Sequence, residues 1–355
     1  MTSCNSEHVM RSLNGSICLI AIGATLILSP APASAQQTVR IAQGVSTLSF
    51  LPLWAARALN TFAEQGLTAN AVVVPGGDAA ALAALDAGNI DLAAVGSETA
   101  LRAAAKGQPF EVVYSLMSRV TIQLVVSPTL LERTGIKLGD PLEKRLGVLK
   151  GATVGVAAVG GTQDAAARWL AAKGGLNPKS DIKVAQIGNP VALQAALENK
   201  LIDAFVLSPP EGFLAERAGS GTIITSLGDD FPLLRNQPYL VLVAKKPIDD
   251  EKAALFVKTA RALQGASDAL VHQPDQTAQA IQKQFFAKAT PESIIAAVKT
   301  MNSGTTDGGK LDAEGIQNLL TFAKEIGTDF GKEFDAKAAE DNLWTNRFVD
   351  AAKSK

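Results

Sequence analysis

Short apolar runs that alternate with helix-type segments are the feature that most constrains the fold of this chain. Residues 39–44 and 90–95 are apolar runs of strand length. Between them, apolar residues recur at helical spacing, and one helix is predicted to span residues 51–62 and to end near Gly66. Strands and helices in alternation are typical of parallel sheets with crossover helices. The first half of the chain is therefore predicted to form an α/β lobe.

The same order of segments recurs in the second half of the chain. Residues 152–207 contain three strand-type runs separated by helix-type segments. The pairs Ile90-Asp91 and Ile202-Asp203 each follow an alanine-rich stretch that ends in Leu and an acidic residue, and they lie 112 positions apart. We interpret these segments as two copies of one lobe, with a chance match between alanine-rich helices as the alternative.

The pattern changes after the second copy. Residues 239–245 resemble the strand-type run at residues 122–126, and the segments beyond Pro247 have helical patterns, the last of which includes Leu343 and Trp344. Two crossing strands should therefore form a hinge between the lobes. The expected division is lobe 1 over residues 36–124, lobe 2 over residues 125–238, and a return strand with C-terminal helices over residues 239–355 that completes lobe 1.

The first 35 residues have the pattern of a secretory signal peptide. Arg11 precedes an uncharged apolar run at residues 17–28, and Ala33-Ser34-Ala35 forms a small-residue cleavage site. The run is shorter than the ~20 residues that a membrane-spanning helix needs. We expect cleavage before Gln36 and a soluble protein in the periplasm.

Composition narrows the class of function. The formal net charge of −1 gives no electrostatic basis for binding a nucleic acid. Both cysteines precede residue 36, and His272 is the only histidine after it. A zinc site or a disulfide framework cannot be assembled from these residues. A Ser-His-Asp triad would have to use His272, and no G-x-S-x-G turn is present. We expect a protein without a cofactor or metal that is not an enzyme, with His272 at a solvated helix end.

The order of several short motifs resembles a known family. They include Pro75-Gly76-Gly77, the stretch at residues 88–93 and Gly160-Gly161-Thr162. The chain resembles the periplasmic solute-binding proteins of ABC importers for nitrate, sulfonates and taurine, a branch that also includes the thiamine-pyrimidine proteins. The resemblance implies a type II periplasmic binding protein fold, capture of a small organic or oxyanion solute between two lobes, and delivery to a permease with a cytoplasmic ATPase. We expect a monomer.

Loops at the carboxyl ends of the strands are the candidate ligand site. Ligands of open α/β sheets bind there, where glycines allow close approach and hydroxyl groups donate or accept hydrogen bonds. Arg119, between the hinge-side strands, is the candidate counter-charge for an acidic ligand, with a solvated hinge arginine as the alternative. The candidate ligand-binding residues are Ser46, Thr47, Gly76, Gly77, Gly96, Ser97, Arg119, Gly161, Thr162, Gln163, Asn189, Ser208 and Glu211.

Two features leave the function open. Residues 208–211 lack the aromatic-acid-proline pattern of many sulfonate receptors. Four carboxylates, on Asp78, Glu98, Asp164 and Glu211, fall in predicted first helical turns, where they either complement the helix dipole or oppose an anionic ligand. The alternative functions are an enzyme similar to the thiamine-pyrimidine synthases, whose cysteine-rich motif is absent here, and a receptor that reports ligand to a membrane kinase.

Overall fold

The computed structural model describes residues 36–305, 308–328 and 343–353. The predicted signal peptide lies outside the described residues. The strands are β1 (Gln37–Gln43), β2 (Leu67–Val73), β3 (Leu92–Gly96), β4 (Phe110–Met117), β5 (Gln123–Val126), β6 (Thr153–Val156), β7 (Lys183–Gln186), β8 (Ala204–Leu207), β9 (Thr222–Ser226) and β10 (Leu240–Lys245).

Helices connect and cover these strands. A 3-10 turn at Gly147–Leu149 and another at Asn302–Gly304 accompany them. The α-helices are α1 (Leu51–Ala58), α2 (Thr61–Glu64), α3 (Gly77–Asp86), α4 (Ser97–Ala105), α5 (Pro128–Thr134), α6 (Leu142–Leu146), α7 (Thr162–Lys173), α8 (Pro190–Glu198), α9 (Glu211–Arg217), α10 (Leu227–Asp230), α11 (Pro232–Arg235), α12 (Asp250–His272), α13 (Pro274–Phe285), α14 (Pro291–Met301), α15 (Ala313–Glu325) and α16 (Arg347–Lys353).

The strands form two five-stranded sheets of the same topology. The first has the order β2-β1-β3-β10-β4 and the second the order β7-β6-β8-β5-β9. In each sheet the fourth strand runs antiparallel to its neighbours, whereas the strands in the first three positions are parallel. Those antiparallel strands, β5 and β10, are the ones that follow each crossing between the sheets. The shared order confirms the predicted duplication of an α/β unit.

The Ile-Asp pairs occupy the same place in both sheets. The Asp91 carboxylate accepts a hydrogen bond from the Arg40 backbone N–H at 2.9 Å, and the Asp203 carboxylate accepts one from the Thr153 backbone N–H at 2.8 Å. The backbone N–H of each aspartate donates to the carbonyl of the same partner residue, at 2.9 Å in both cases. Asp91 therefore joins the start of β3 to β1, and Asp203 joins the start of β8 to β6.

Buried aliphatic side chains hold the layers together. Val39 and Ile41 face one side of the first sheet, against α1 and α12, while Ala42 and Val95 face the other side with α3 and α4. Of the C-terminal helices, α12 and α13 pack on α1, and α16 packs on β4 of the first sheet. His272 is exposed at the end of α12, as predicted. Within the described residues, none of the helices is both long and apolar enough to cross a membrane.

Two local predictions are wrong, and one strand was not predicted. The helix predicted over residues 51–62 is broken at Asn60, which adopts a left-handed conformation (φ 60°) that asparagine tolerates, so α1 and α2 are separate. The strand without a prediction is β9, which lies at the sheet edge and does not alternate regularly between buried and half-buried residues. Trp344 precedes α16 instead of lying in it, and forms an isolated bridge with Val112.

Candidate ligand-binding cleft

Loops from the two sheets meet at the carboxyl ends of their parallel strands. We call this region the cleft and define it by residues 44–50, 74–78 and 96–99 of the first sheet, residues 157–163 and 208–212 of the second, and the crossing residues 118–122 and 236–239. Parallel strands place such loops, and the helices that begin in them, at one edge of a sheet. Hydrogen bonds between the two sets of loops join the lobes across this region.

A hydroxyl-to-carboxylate hydrogen bond joins the lobes. Thr162, the first residue of α7, donates through its hydroxyl to Asp78 Oδ2 at 3.0 Å. The same oxygen accepts from the Gly96 N–H at 3.1 Å and from the Thr99 hydroxyl at 3.3 Å. Burial raises the pKa of the Asp78 carboxyl, and these hydrogen bonds oppose that rise. Asp78 is thus an acceptor shared between the lobes.

Glycines allow this close approach. A Cβ atom on Gly96 would lie 1.9 Å from Thr162 Oγ1, and one on Gly77 would lie 3.0 Å from the Ala158 Cβ. Both glycines belong to the first lobe, and both partners belong to the second. A side chain at Gly96 is therefore incompatible with the contact between the lobes.

A chain of hydroxyl groups lies where the crossings meet the second sheet. Thr121 in the first crossing donates to Ser208 Oγ at 2.9 Å, and Ser208 Oγ lies 3.1 Å from the hydroxyl of Tyr239 at the end of the second crossing. Burial raises the pKa of Tyr239, while hydrogen bonds to Ser208 and Ser49 oppose the rise. The loop after β8 is thereby fixed to both crossing segments.

Three of the four first-turn carboxylates have partners within the protein. Asp78 receives the hydrogen bonds described above. Glu98 is paired with Arg102 at 3.2 Å, and Asp164 is paired with Arg168 at 2.7 Å and accepts from the Gly160 N–H at 2.8 Å. Arg102 also donates to the Gly160 carbonyl at 2.8 Å, a second link between the lobes, in a groove of about 340 Å³ beside α4 and α7.

Glu211 differs from the other three. Its side chain is 6% exposed, and its Oε2 atom has no hydrogen-bond partner among the described residues. Burial raises the pKa of the Glu211 carboxyl to about 8. An unpaired buried carboxyl oxygen is costly, so its presence in a cleft favours a role in binding.

Two buried glutamines have unpaired amide atoms at the same edges of the sheets. Gln43, the last residue of β1, is 0% exposed, and neither its Oε1 nor its Nε2 has a partner. Gln123, the first residue of β5, has an unpaired Oε1. Sequence reasoning missed both. A polar residue at the end of an otherwise apolar strand is the signal that could have identified them.

The structure brings some of the predicted ligand residues together and not others. Gly77, Gly96, Thr162 and Ser208 lie in the contacts described above. The Ser97 hydroxyl donates to the Pro238 carbonyl, Thr47 Oγ1 lies 2.6 Å from Ser49 Oγ, Gln163 is buried in the first turn of α7, and Glu211 is buried at the start of α9. Gly161 precedes α7 and is half-buried, and Gly76 is exposed in the turn before α3.

The remaining candidates have other surroundings. Ser46 is exposed, and Asn189 is the exposed N-cap of α8, where its side chain accepts from the Ala192 N–H at 3.0 Å. The Arg119 guanidinium is paired with Asp229. The predicted counter-charge is therefore already engaged within the protein.

A comparison with protein families identifies the family of this chain. The sequence profile of the NMT1-like family matches residues 33–284, which is more than half of the chain. The chain belongs to the NMT1-like family. The match covers both sheets and includes every segment of the cleft. A search of curated protein sequences gives no match.

Solved structures share the fold of this NMT1-like protein. A protein of Bordetella bronchiseptica RB50 is 24% identical, with a TM-score of 0.72, and the match covers 90% of this chain and 97% of that one. The periplasmic nitrate-binding protein NrtA of Synechocystis PCC 6803 is 17% identical, with a TM-score of 0.70 and coverage of 89% and 88%. A ligand-binding component of an ABC-type import system of Staphylococcus aureus, solved with zinc bound, is 16% identical, with a TM-score of 0.67 and coverage of 90% and 100%.

These likenesses confirm the predicted class of fold, two α/β lobes of the periplasmic binding protein type. The zinc in the Staphylococcus aureus structure has no counterpart in the chemistry of this chain's described residues. No group of three or more His, Cys, Asp or Glu side chains that could hold a metal ion is found among residues 36–305, 308–328 and 343–353.

Proposed function

We propose that this protein is the extracytoplasmic solute-binding component of an ABC importer and encloses a small polar solute between its two lobes. The bond from the Thr162 hydroxyl to Asp78 carries the proposal, since it joins loops from the two sheets across the cleft. Lobes that close in this way share the binding energy of the solute and couple binding to closure. Membership of the NMT1-like family and the import components among the structural neighbours support the same function.

The proposed partners and location follow from the same reasoning. The pattern of residues 1–35 supports export to the periplasm, and the neighbours support delivery of the solute to a permease with a cytoplasmic ATPase. We propose that the protein acts as a monomer and without a cofactor.

Binding without chemical conversion is the second part of the proposal. His272 is the only histidine after residue 35 and is exposed at the end of α12, and no cysteine follows residue 35. The buried polar groups of the cleft are instead carboxyls, amides and hydroxyls that can accept or donate hydrogen bonds to a solute.

A thermal-shift screen tests this function. The purified protein is heated with single compounds from a library of amines, amino acids, sugars, nitrate and alkanesulfonates, and each compound that raises the melting temperature is titrated by calorimetry. We expect at least one compound to bind with one-to-one stoichiometry and to be recovered unchanged by mass spectrometry. Stabilisation by no compound, or recovery of a converted product, would overturn the proposal.

A further inference from the structure

The unpaired carboxyl oxygen of Glu211 lies on the cleft edge of the second sheet. Glu211 follows β8 by four residues, and Ser208 in the same loop is bonded to Thr121 and Tyr239 of the crossings. Asp78, Glu98 and Asp164 are also buried in first helical turns. Asp78 accepts hydrogen bonds, whereas Glu98 Oε2 and Asp164 Oδ1 lack a hydrogen bond but are each ion-paired with an arginine. The Glu211 carboxyl accepts from its own backbone N–H, but its Oε2 atom has neither a donor nor an ion pair among the described residues.

A second buried acceptor lies against the residue that follows Glu211. Gln123 pairs in register with Leu207, the last residue of β8, and its side chain contacts Gly212, where a Cβ atom would lie 2.5 Å from Gln123 Oε1. Gln123 Nε2 donates to Ser226, whereas Oε1 has no donor. This side of the cleft therefore has two buried oxygen atoms without a donor, Glu211 Oε2 and Gln123 Oε1.

The first sheet offers a matching group. Gln43 ends β1 at the carboxyl edge of its sheet, and it can both donate and accept through its unpaired amide. Leaving such groups unpaired in a dry interior costs free energy for each of them. A solute with hydrogen-bond donors would satisfy the acceptors on both sides when the lobes close.

The segments that define the cleft offer no free cationic side chain, which is the usual partner of an oxyanion. Arg119 is the only Lys or Arg in the segments that define the cleft, all of which the structure describes, and it is paired with Asp229. Arg102, just outside the segments, is engaged by Glu98 and the Gly160 carbonyl. An anionic solute would therefore meet three buried carboxyls, on Asp78, Glu98 and Glu211, and no available cation from these loops.

We propose that the solute carries a positively charged nitrogen group, such as an ammonium or amidinium, which donates hydrogen bonds to Glu211 Oε2 and Gln123 Oε1. This inference rests on the proposed function and names the chemical class of its solute. A cation against a buried carboxylate forms a charge-assisted hydrogen bond, which is stronger than one between neutral groups. A cationic solute would stabilise the ionised form of the Glu211 carboxyl, whose pKa is raised by burial to about 8. Binding of such a solute therefore explains why this carboxyl occupies a binding cleft.

Matched compounds test the proposal. The purified protein is screened by thermal shift against primary amines and amidines, each beside the alcohol of the same carbon skeleton, and against nitrate and alkanesulfonates. We expect at least one amine or amidine to raise the melting temperature while its alcohol counterpart does not. Stabilisation only by nitrate, sulfonates or alcohols would overturn this proposal and leave the solute-binding function intact. Stabilisation by no compound would overturn both.

Two variants locate the contact. For the stabilising amine, Glu211→Gln keeps the shape of the side chain and removes its charge, so the dissociation constant should rise at least about tenfold. Glu216→Gln, in the same helix and bonded to the Ile223 N–H, should leave that constant unchanged. Circular dichroism checks that both variants fold. Equal affinity of the Glu211→Gln variant and the native protein would overturn the assignment of Glu211.

Discussion

Thr162 Oγ1 lies 3.0 Å from Asp78 Oδ2, and this hydrogen bond joins the first turn of α7 in one lobe to the first turn of α3 in the other. The two residues are 84 positions apart in the sequence. Because Asp78 Oδ2 also accepts from Gly96 and Thr99, the carboxylate is fixed in the first lobe before the second lobe reaches it. Closure therefore meets a preorganised acceptor.

Adding one methyl group at Gly96 should prevent this closure. The backbone of Gly96 has φ −65° and ψ 136°, which alanine adopts without strain, but its Cβ atom would lie 1.9 Å from Thr162 Oγ1. We expect Gly96→Ala to fold and to bind the most stabilising compound of the thermal-shift screen at least about tenfold more weakly, as measured by calorimetry.

Gly139→Ala is the matched control for this variant. No atom lies within 4 Å of a Cβ at Gly139, and its φ is not in the left-handed region. Its affinity should equal that of the native protein. Undiminished affinity in Gly96→Ala would show that the contact between Gly96 and Thr162 is not part of the bound state.

The Glu211 carboxyl should make stability depend on pH. Its pKa is raised to about 8 in the folded protein, from the ordinary value of 4.5. The folded state therefore binds a proton more tightly than the unfolded state, and stability falls as pH rises between these two values. The Glu211→Gln variant does not lose stability in this way. Without added solute, it should therefore be more stable than the native protein at pH 8 by a few kcal/mol, because each unit of pKa difference corresponds to ~1.4 kcal/mol.

Urea denaturation of the native protein and the Glu211→Gln variant at several pH values measures this effect. The advantage of the variant should grow from pH 5 to pH 8 and then level off. The control is Glu216→Gln, the same carboxyl-to-amide change at an exposed residue of the same helix, measured at the same pH values. A constant difference between Glu211→Gln and the native protein would contradict burial of an unpaired Glu211 carboxyl.

The duplicated aspartates should contribute comparably to stability. Asp91→Ala and Asp203→Ala each leave a strand N–H, of Arg40 or Thr153, without its acceptor. We expect each variant to lower the free energy of unfolding by about 1–3 kcal/mol in urea denaturation. Asp86→Ala, which removes an exposed ion pair with Lys245, should cost less than about 1 kcal/mol. Equal effects of all three variants would contradict the structural role of the Ile-Asp repeat.

Local sequence patterns predicted the two-lobe architecture because the Ile-Asp pairs mark equivalent points in both sheets. Asp91 bonds to β1 and Asp203 bonds to β6, in each sheet the parallel neighbour of the strand that the aspartate precedes, so the same short motif serves the same local geometry. Strand β9 was not predicted because it lies at the edge of its sheet and depends on pairing with β5, about 100 residues earlier in the chain.

The chemistry of the cleft was less predictable. First-turn carboxylates look alike in a sequence, and only the packed structure separates Asp78, which has three donors, from Glu211, whose Oε2 has none. Gln43 was overlooked because strand patterns report burial, not whether a buried amide finds a partner. Arg119 could be placed near the hinge from sequence, but its pairing with Asp229 depends on a residue 110 positions away.

The signal-peptide pattern of residues 1–35 predicts a defined mature N-terminus. Export should remove residues 1–35, so protein recovered from the periplasm should begin at Gln36. Mass spectrometry of the intact protein measures this directly. A chain that retains the apolar run at residues 17–28 would contradict export through a cleaved signal.

Small-angle scattering tests the central claim, that a solute closes the two lobes on each other. The radius of gyration of the native protein is measured with and without the most stabilising compound of the thermal-shift screen, beside the Gly96→Ala variant. We expect the compound to reduce the radius of gyration of the native protein. At a concentration of the compound that saturates the Gly96→Ala variant, the reduction in that variant should be smaller. An unchanged radius of gyration in the native protein at a saturating concentration of the compound would contradict the central claim.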